Sequence, residues 1–261
     1  MKKKNVFSIV TVSYNAEKLV ESTVRSIISQ TFRDYEFIVI DGGSTDNTLS
    51  ILEMYKDRID ILISETDKGI YDAMNKAINL ASGKYINFMN CGDSFADESV
   101  LCNIALNVHN SPDVIYGKTI LNTSVGKYMS TPSVKIGDSI LKNMPFCHQS
   151  SFVRLELAKK HPFDLQYKVS ADYNMFLQLF NEGCIFYYVD FPVSIYQYDR
   201  PNDHLQYKRA LDVVRVNKRL SFYLQVIRFF IMSYVRLFVP NRLYCFIRRW
   251  KYCSKFEYLG D

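Results

Sequence analysis

FSIVTVSYNAEKLVESTVRSIISQTFRDYEFIVIDGGSTDNT, residues 7–48, is the stretch that sets the fold. Residues 6–12 read as a buried strand by their β-branched content, and Leu19, Val20, Val24, Ile27 and Ile28 then recur on one helical face. Residues 37–40 form a second strand. Asp41-Gly42-Gly43-Ser44-Thr45-Asp46 supplies turn residues and an N-cap for a helix holding Leu49, Leu52 and Met54. The alternation continues with a strand at 59–63 and a helix through Ile70, Met74, Ala77, Ile78 and Ala81. Gly83 stands where a C-terminal cap belongs, and residues 85–89 make a fourth strand. Strand and helix alternating at this spacing predict right-handed βαβ units, hence an α/β fold with a mostly parallel sheet flanked by helices.

Such sheets bind ligands in the crevice beyond the carboxyl ends of their strands. The segments placed there are Ser13-Tyr14-Asn15, Asp41 to Ser44, Glu65 to Gly69 and Asn90-Cys91-Gly92-Asp93. Three of the four bring a carboxylate to one edge, where clustered acids repel unless a cation or hydrogen-bond donors neutralise them. The second half is less regular. Val100, Leu101, Ile104, Ala105 and Val108 mark a helix, residues 114–116 a short strand, and residues 146–153 an extended segment. A further helix has Asp172 in its first turn and Met175, Phe176, Leu179 and Phe180 on its apolar face. The segment from Asn122 to Leu141 reads as loop. Residues 1–204 form one domain and residues 205–261 a separate tail.

The division follows charge. The whole chain of 261 residues carries 32 Lys and Arg against 27 Asp and Glu, a net +5. Residues 205–261 hold twelve basic and three acidic residues, 12 − 3 = +9, which leaves the body at 20 − 24 = −4. Such asymmetry points to an anionic partner at one end only. The six cysteines have no CxxC pair and no regular spacing with the four histidines, so reduced thiols in a cytosolic protein are expected. Residues 6–12 are too short for a secretory signal, and Arg228 and Arg236 interrupt the best candidate for the roughly 20 apolar residues of a membrane span.

Each candidate residue has a plain reading beside the functional one. Asp93 can hold Mg²⁺ or Mn²⁺ shared with a substrate diphosphate, or it can close a turn and cap the helix at Asp97. Asp41 can contact a ligand or merely begin a good turn. Asp72 and Asn75 share a helix face that solvent alone would explain. Asp172 can act on a proton or cap its helix. His148 sits among apolar neighbours, as a ligand or as a core histidine satisfied by hydrogen bonds.

Residues 7–48, with ETDKGIYDAMNKAINLASGKYINFMNCGDSF at 65–95, closely resemble family 2 glycosyltransferases of the Rossmann-like GT-A fold. They are most similar to bacterial members that assemble polysaccharides, including colanic-acid-type exopolysaccharide. Walker-type and GxGxxG phosphate loops are both absent from the sequence. The resemblance implies that Thr11, Ser13 and Asn15 border a nucleotide site, that Asp41 meets the nucleobase or ribose, and that Asp67 and Gly69 line the same pocket. The family's acidic metal motif falls on Asn90-Cys91-Gly92-Asp93. Its last acid is kept as Asp93, the implied ligand of a divalent cation, Mn²⁺ or Mg²⁺. Asn90 and Gly92 replace earlier acids and are assigned to the donor site. The base motif, usually Glu-Asp, appears as Ala171-Asp172, which makes Asp172 the implied catalytic base. The reaction implied is inverting transfer from a nucleotide-sugar donor to a hydroxyl of a saccharide or lipid-linked saccharide acceptor. The base removes the acceptor proton as a nucleoside diphosphate leaves from the opposite face. Two other classes stay open, a nucleotidyltransferase releasing pyrophosphate and a non-catalytic nucleotide- or glycan-binding scaffold at a membrane.

In the tail, Leu211, Val214, Leu220, Phe222, Ile227, Phe230 and Phe238 are interleaved with Arg and Lys before Pro240 breaks the pattern. A basic amphipathic helical tail of this kind suits the interface of an anionic membrane, at ~1 kcal/mol per basic residue. The density of Phe and Leu excludes a nucleic-acid arm. The alternative is a helix packed on the body with its basic face in water. The expected location is cytoplasmic, peripheral on the inner face of the cell membrane, where a lipid-linked acceptor would be presented.

Overall fold

The computed structural model describes residues 6–107, 110–141, 144–198, 252 and 255–260. Strands β1 (Phe7–Ser13), β2 (Tyr35–Asp41), β3 (Ile61–Ser64) and β4 (Tyr85–Phe88) lie parallel in the order β3-β2-β1-β4. Helices α1 (Val20–Ile28), α2 (Thr48–Glu53) and α3 (Ile70–Leu80) connect them, as the alternation predicts. Successive side chains point to opposite faces and both faces are covered, so these strands are mostly apolar. Val10, Val12, Ile38 and Ile40 join Met74, Tyr116, Phe146 and Phe176 in one core. Ile9, Phe37 and Val39 join Val20, Val24, Ile27, Leu52 and Leu101 in another. Each such side chain, fully buried, contributes roughly 1.5–3 kcal/mol.

Beyond β4 the sheet changes direction. β8 (Ser151–Arg154) adds antiparallel, then β6 (Val114–Thr123) and β7 (Gly126–Ser130). β9 (Phe186–Gln197) runs parallel to β6, and the two-residue β5 (Ser94–Phe95) pairs antiparallel with it. Helices α4 (Val100–Asn107), α5 (Leu155–Lys160) and α6 (Ala171–Asn181) complete the body.

Several expectations need correction. The strand expected at 114–116 runs on to Thr123, and the segment expected as loop contains β7. Strand β9 was hidden by Asp190 and Pro192. The sheet admits this proline through a register shift, in which Gly117 faces Val189 but Lys118 faces Pro192. Gly83 does not cap α3, which ends at Leu80 with an extended Ala81. It is needed for close approach, because a Cβ there would stand 2.6 Å from Ser8 Oγ and 2.7 Å from Phe7 C. The Gly83 N–H, the Ser82 N–H and hydroxyl, and the Ser8 hydroxyl all donate to the buried carboxylate of Glu36, which ties the amino ends of the strands together.

The tail also differs from expectation at its far end. Residues 199–251, which carry nearly all of the expected basic helix, lie outside the described residues. Residues Glu257–Gly260 are a strand, β10, that pairs antiparallel with β7 at the sheet edge. Tyr252 packs on the buried Tyr128 with ring centroids 5.2 Å apart, and Tyr258 does so at 5.3 Å. The end of the chain therefore belongs to the body's sheet, in correction of a tail separate from residue 205 onward. No helix among the described residues is long and apolar enough to cross a membrane.

Candidate active site

Register places the first group of site residues side by side. Ser13 at the end of β1 is opposite Asp41 at the end of β2, and Asp41 is opposite Ser64 at the end of β3. Ser13 Oγ donates to Asp41 Oδ1 at 2.9 Å and Ser64 Oγ to Oδ2 at 2.7 Å. The Gly43 and Ser44 N–H groups donate to Oδ2 at 3.1 and 2.8 Å, and the Ser44 hydroxyl to Oδ1. Burial alone would raise the Asp41 pKa. The donors from Ser44, Ser64 and Ser13 outweigh it and hold the carboxyl below its ordinary value. Asp41 is wholly buried, at the centre of these five donors. Three of those donors, from Gly43 and Ser44, lie in the turn that follows β2.

That turn is stapled to the one after β1. Asn15, at φ +47°, accepts from Thr45 N–H at 2.9 Å, and its own N–H donates to Ser44 Oγ at 2.8 Å. Asp67 lies across Gly42 so closely that a Cβ there would stand 2.5 Å from its Oδ2. Its other oxygen accepts from Gly69 N–H at 2.7 Å, where φ is +119° and α3 begins. Ser13, Asn15, Asp41, Asp67 and Gly69 are thus brought together. Thr11 is not at the rim, because it is fully buried and its hydroxyl donates to Met89 O at 2.8 Å. Tyr14 stays 65% exposed beside Gly42, an open aromatic face suited to stacking on a planar base.

A second group forms after β4. Gly92 has φ +91° and donates its N–H to Thr23 Oγ1 at 2.9 Å, while that hydroxyl donates to Asp93 O at 2.7 Å. Asp93 is 1% exposed and does not cap the next helix. Its Oδ2 accepts from Gln149 Nε2 at 2.9 Å and its Oδ1 from Gln197 N–H at 3.3 Å. Residues His148–Ser150 form a 3₁₀ turn immediately before β8. His148 Nδ1 lies 3.1 Å from Asp172 Oδ2 and Nε2 lies 3.3 Å from Asn90 Nδ2.

Asp172, in the first turn of α6, accepts at Oδ1 from Tyr173 N–H at 2.9 Å and Tyr71 Oη at 3.2 Å. The Tyr71 hydroxyl also donates to Val169 O at 2.7 Å. Burial, and then the charge of Asp172, push the Tyr71 pKa well above its ordinary value, so the phenol remains a donor. An open depression lined by Lys68, Ile70, Tyr71, Leu165, Tyr167 and Lys168 lies beside it.

Asp72 and Asn75 hold backbone rather than share a merely solvated face. Asp72 accepts from Lys68 N–H at the start of α3, and Asn75 grips the backbone of Phe163 through both amide atoms. Gln149 and Tyr71, which contact Asp93 and Asp172, were not singled out in the sequence, and the histidine left open between ligand and core lies against Asp172 and Asn90. Only the adjacency of His148 and Gln149 to an apolar strand start marked them in the sequence.

Compared with known proteins, residues 8–158 match the sequence model described as Glycosyl transferase family 2. The chain belongs to that family. Nucleotidyl transfer and a non-catalytic scaffold lose their support with it. This family 2 glycosyltransferase is 30% identical over 186 residues to a PGL/p-HBAD biosynthesis glycosyltransferase of Mycobacterium bovis, covering 69% of this chain and 72% of the relative. It is 29% identical over 182 residues to an Escherichia coli UDP-Glc:alpha-D-GlcNAc-diphosphoundecaprenol beta-1,3-glucosyltransferase, covering 68% and 71%. Among solved structures, residues 1–349 of Staphylococcus aureus TarS share the fold, with a TM-score of 0.62 at 19% identity over 86% of this chain and 70% of that one. So does the Pyrobaculum calidifontis mannosyltransferase solved with GDP-Man and Mn²⁺, with a TM-score of 0.63 at 16% identity over 87% and 65%.

No cluster of three or more His, Cys, Asp or Glu able to hold a metal occurs among the described residues. A hard cation that takes most of its oxygens from a diphosphate would ask for only one protein carboxylate, and Asp93 is the candidate.

Proposed function

We propose that this enzyme transfers a sugar from a nucleotide-sugar, with inversion, to a hydroxyl of a lipid-linked saccharide during assembly of a surface polysaccharide or glycolipid. The observation that carries this reading is that two consecutive residues, His148 and Gln149, reach Asp172 and Asp93 respectively. The carboxylate proposed as base and the one proposed as metal ligand are therefore fixed by one 3₁₀ turn. That is the arrangement a single displacement needs, with deprotonation of the acceptor on one side and neutralisation of the leaving diphosphate on the other. A cation bound at Asp93 would supply charge stabilisation of that diphosphate. Ser13, Asn15, Asp67, Gly69, Asn90 and Gly92 frame the donor, Tyr14 offers its ring to the base, and Asp41 acts through the turn it organises. The lipid-linked acceptor is supported by the activity for which the Escherichia coli relative is named. The depression at Tyr71 is where such an acceptor would meet Asp172.

Purified enzyme with Mn²⁺ and UDP-, GDP-, dTDP- or CMP-sugars should show a rise in thermal midpoint with one nucleotide class, and with acceptor it should release that nucleoside diphosphate. Release of pyrophosphate from a nucleoside triphosphate, or donor binding with no turnover for any acceptor, would overturn the reading.

Residues 199–251 carry the membrane proposal. They hold twelve Lys and Arg against three Asp, 12 − 3 = +9, and the rings of Tyr198 and Tyr252 that flank them lie 5.7 Å apart. Removing the chain end would strip β10 from the sheet, so charge removal is the sounder test. Replacing Arg215, Lys218, Arg219, Arg228 and Arg236 with Gln should abolish flotation with anionic liposomes and leave the fold intact. Equal flotation of both proteins would refute membrane attachment through these charges.

A further inference from the structure

We propose that His148 is a positioning residue for the transfer, locking the Asp172 carboxylate in one orientation while it is itself held from the donor side by Asn90. The inference rests on the function proposed above. A carboxylate only accepts, so the nitrogen facing it, Nδ1, is the one that carries hydrogen, and in a neutral imidazole Nε2 is then an acceptor. The atom Nε2 faces is the Asn90 amide nitrogen, a donor, at 3.3 Å. One neutral tautomer therefore satisfies both contacts.

The result is a chain from the Asn90-Cys91-Gly92-Asp93 turn to the first turn of α6, Asn90 to His148 to Asp172, across sequence separations of 58 and 24 residues. Asp172 is gripped on its other oxygen by Tyr71 and the Tyr173 N–H. With both oxygens tied, the plane of the carboxylate cannot rotate freely, and the lone pair offered to an acceptor hydroxyl has a fixed direction. A histidine serving only the core would not need both ring nitrogens engaged by residues of the two proposed reaction groups. Gln149, the next residue, does the corresponding work for Asp93. Asn90, 5% exposed, has an Oδ1 that is buried without a hydrogen-bond partner, so the amide that holds His148 also keeps an acceptor in reserve on the turn assigned to the donor.

The experiment uses the full chain with its working donor and acceptor. His148→Phe keeps a flat ring and removes both hydrogen bonds, His148→Gln moves the amide away from Asp172, and His148→Asn places an N–H close to the position of Nδ1–H. For Phe and Gln the expected result is a fall in kcat of about 10- to 100-fold with donor KM changed by less than about twofold. His148→Asn should recover most of the loss, and the thermal midpoint and its rise on adding nucleoside diphosphate should be preserved. Unchanged kcat in His148→Phe, or no advantage of Asn over Phe, overturns the inference. Should His148→Phe fail to fold, His148→Gly assayed with added imidazole decides. Recovery of kcat by imidazole supports positioning through the ring, and no recovery overturns it. Absence of turnover by the unmodified enzyme with every donor would overturn the function and this inference with it. Turnover by the unmodified enzyme with an indifferent His148 overturns the inference alone.

Discussion

Asp172→Asn is expected to lower kcat by about 10²- to 10⁴-fold, the range that general-base catalysis supplies. Donor affinity and thermal midpoint should change little. The substitution keeps the shape of the side chain and an oxygen able to accept from the Tyr173 N–H and the Tyr71 hydroxyl, which stand 2.9 and 3.2 Å from Oδ1. What it removes is the negative charge and the capacity to take a proton from the acceptor. It also sets an amide donor against His148 Nδ1, 3.1 Å away. The imidazole can answer by moving its hydrogen to Nε2, where a rotated Asn90 amide would accept with the Oδ1 that has no partner in the present arrangement. Local hydrogen bonding is thus preserved and the loss falls on the chemical step. Single-turnover release of nucleoside diphosphate in the presence of acceptor is the measurement. A variant retaining turnover within about tenfold would remove Asp172 from the role of base.

The first half of the molecule was legible because its signals are local. Apolar runs at residues 6–12 and 37–40, with a helical period between them, suffice to fix parallel strands, and strand ends in such sheets collect ligand-binding residues. Asp41, Asp67 and Asp93 therefore emerged from spacing before any distance was known. What they do was not legible. Asp41 and Asp93 are both buried, and a sequence does not say that Ser13, Ser44 and Ser64 surround the one while Gln149 and the Gln197 N–H hold the other. Strand β9 escaped because Pro192 contradicts a ladder unless the strand bulges around it, and the bulge, between Val189 and Ser194, is defined only by pairing with Gly117 to Thr119 of β6, distant in the sequence. Gly83 resembled a cap because it follows a helix, whereas the constraint on it comes from Ser8 on another strand. The pairing of His148 with Asp172 has no local signature at all. The loop around the histidine and the helix around the aspartate are each explicable alone, and only the fold makes them neighbours.

Asp41→Asn tests whether the donor pocket is held open by one buried carboxylate. In the native protein five donors converge on it from Ser13, Gly43, Ser44 and Ser64. An amide in its place turns a donor toward at least one of them and removes the charge that strengthens the rest. A loss of about 3 kcal/mol at pH 7 is expected, since a hydrogen bond to a charged group is worth roughly 1.5–3 kcal/mol and a buried donor left unpaired costs ~1–3 kcal/mol. The sign of the pH dependence follows from the Asp41 carboxyl being held below its ordinary value. A group with a depressed pKa in the folded state contributes stability that is fully present above its unfolded pKa of about 3.9 and is lost as pH falls through the folded value. The gap between native and Asp41→Asn proteins should therefore be constant from about pH 7 to 5 and shrink below about pH 4, as the native carboxyl takes up the proton whose absence distinguished it from the amide. Urea unfolding midpoints at several pH values measure the gap. A gap that is independent of pH, or that widens in acid, would show that Asp41 stabilises the turn by shape alone. Because Asn15 is tied to Ser44 and Thr45, and Asp67 lies against Gly42 in the same turn, loosening at Asp41 must spread to the residues that frame the donor. The variant should then also bind nucleoside diphosphate more weakly at pH 7, a coupling that a purely structural carboxylate such as Glu36, at the opposite ends of the same strands, should not show.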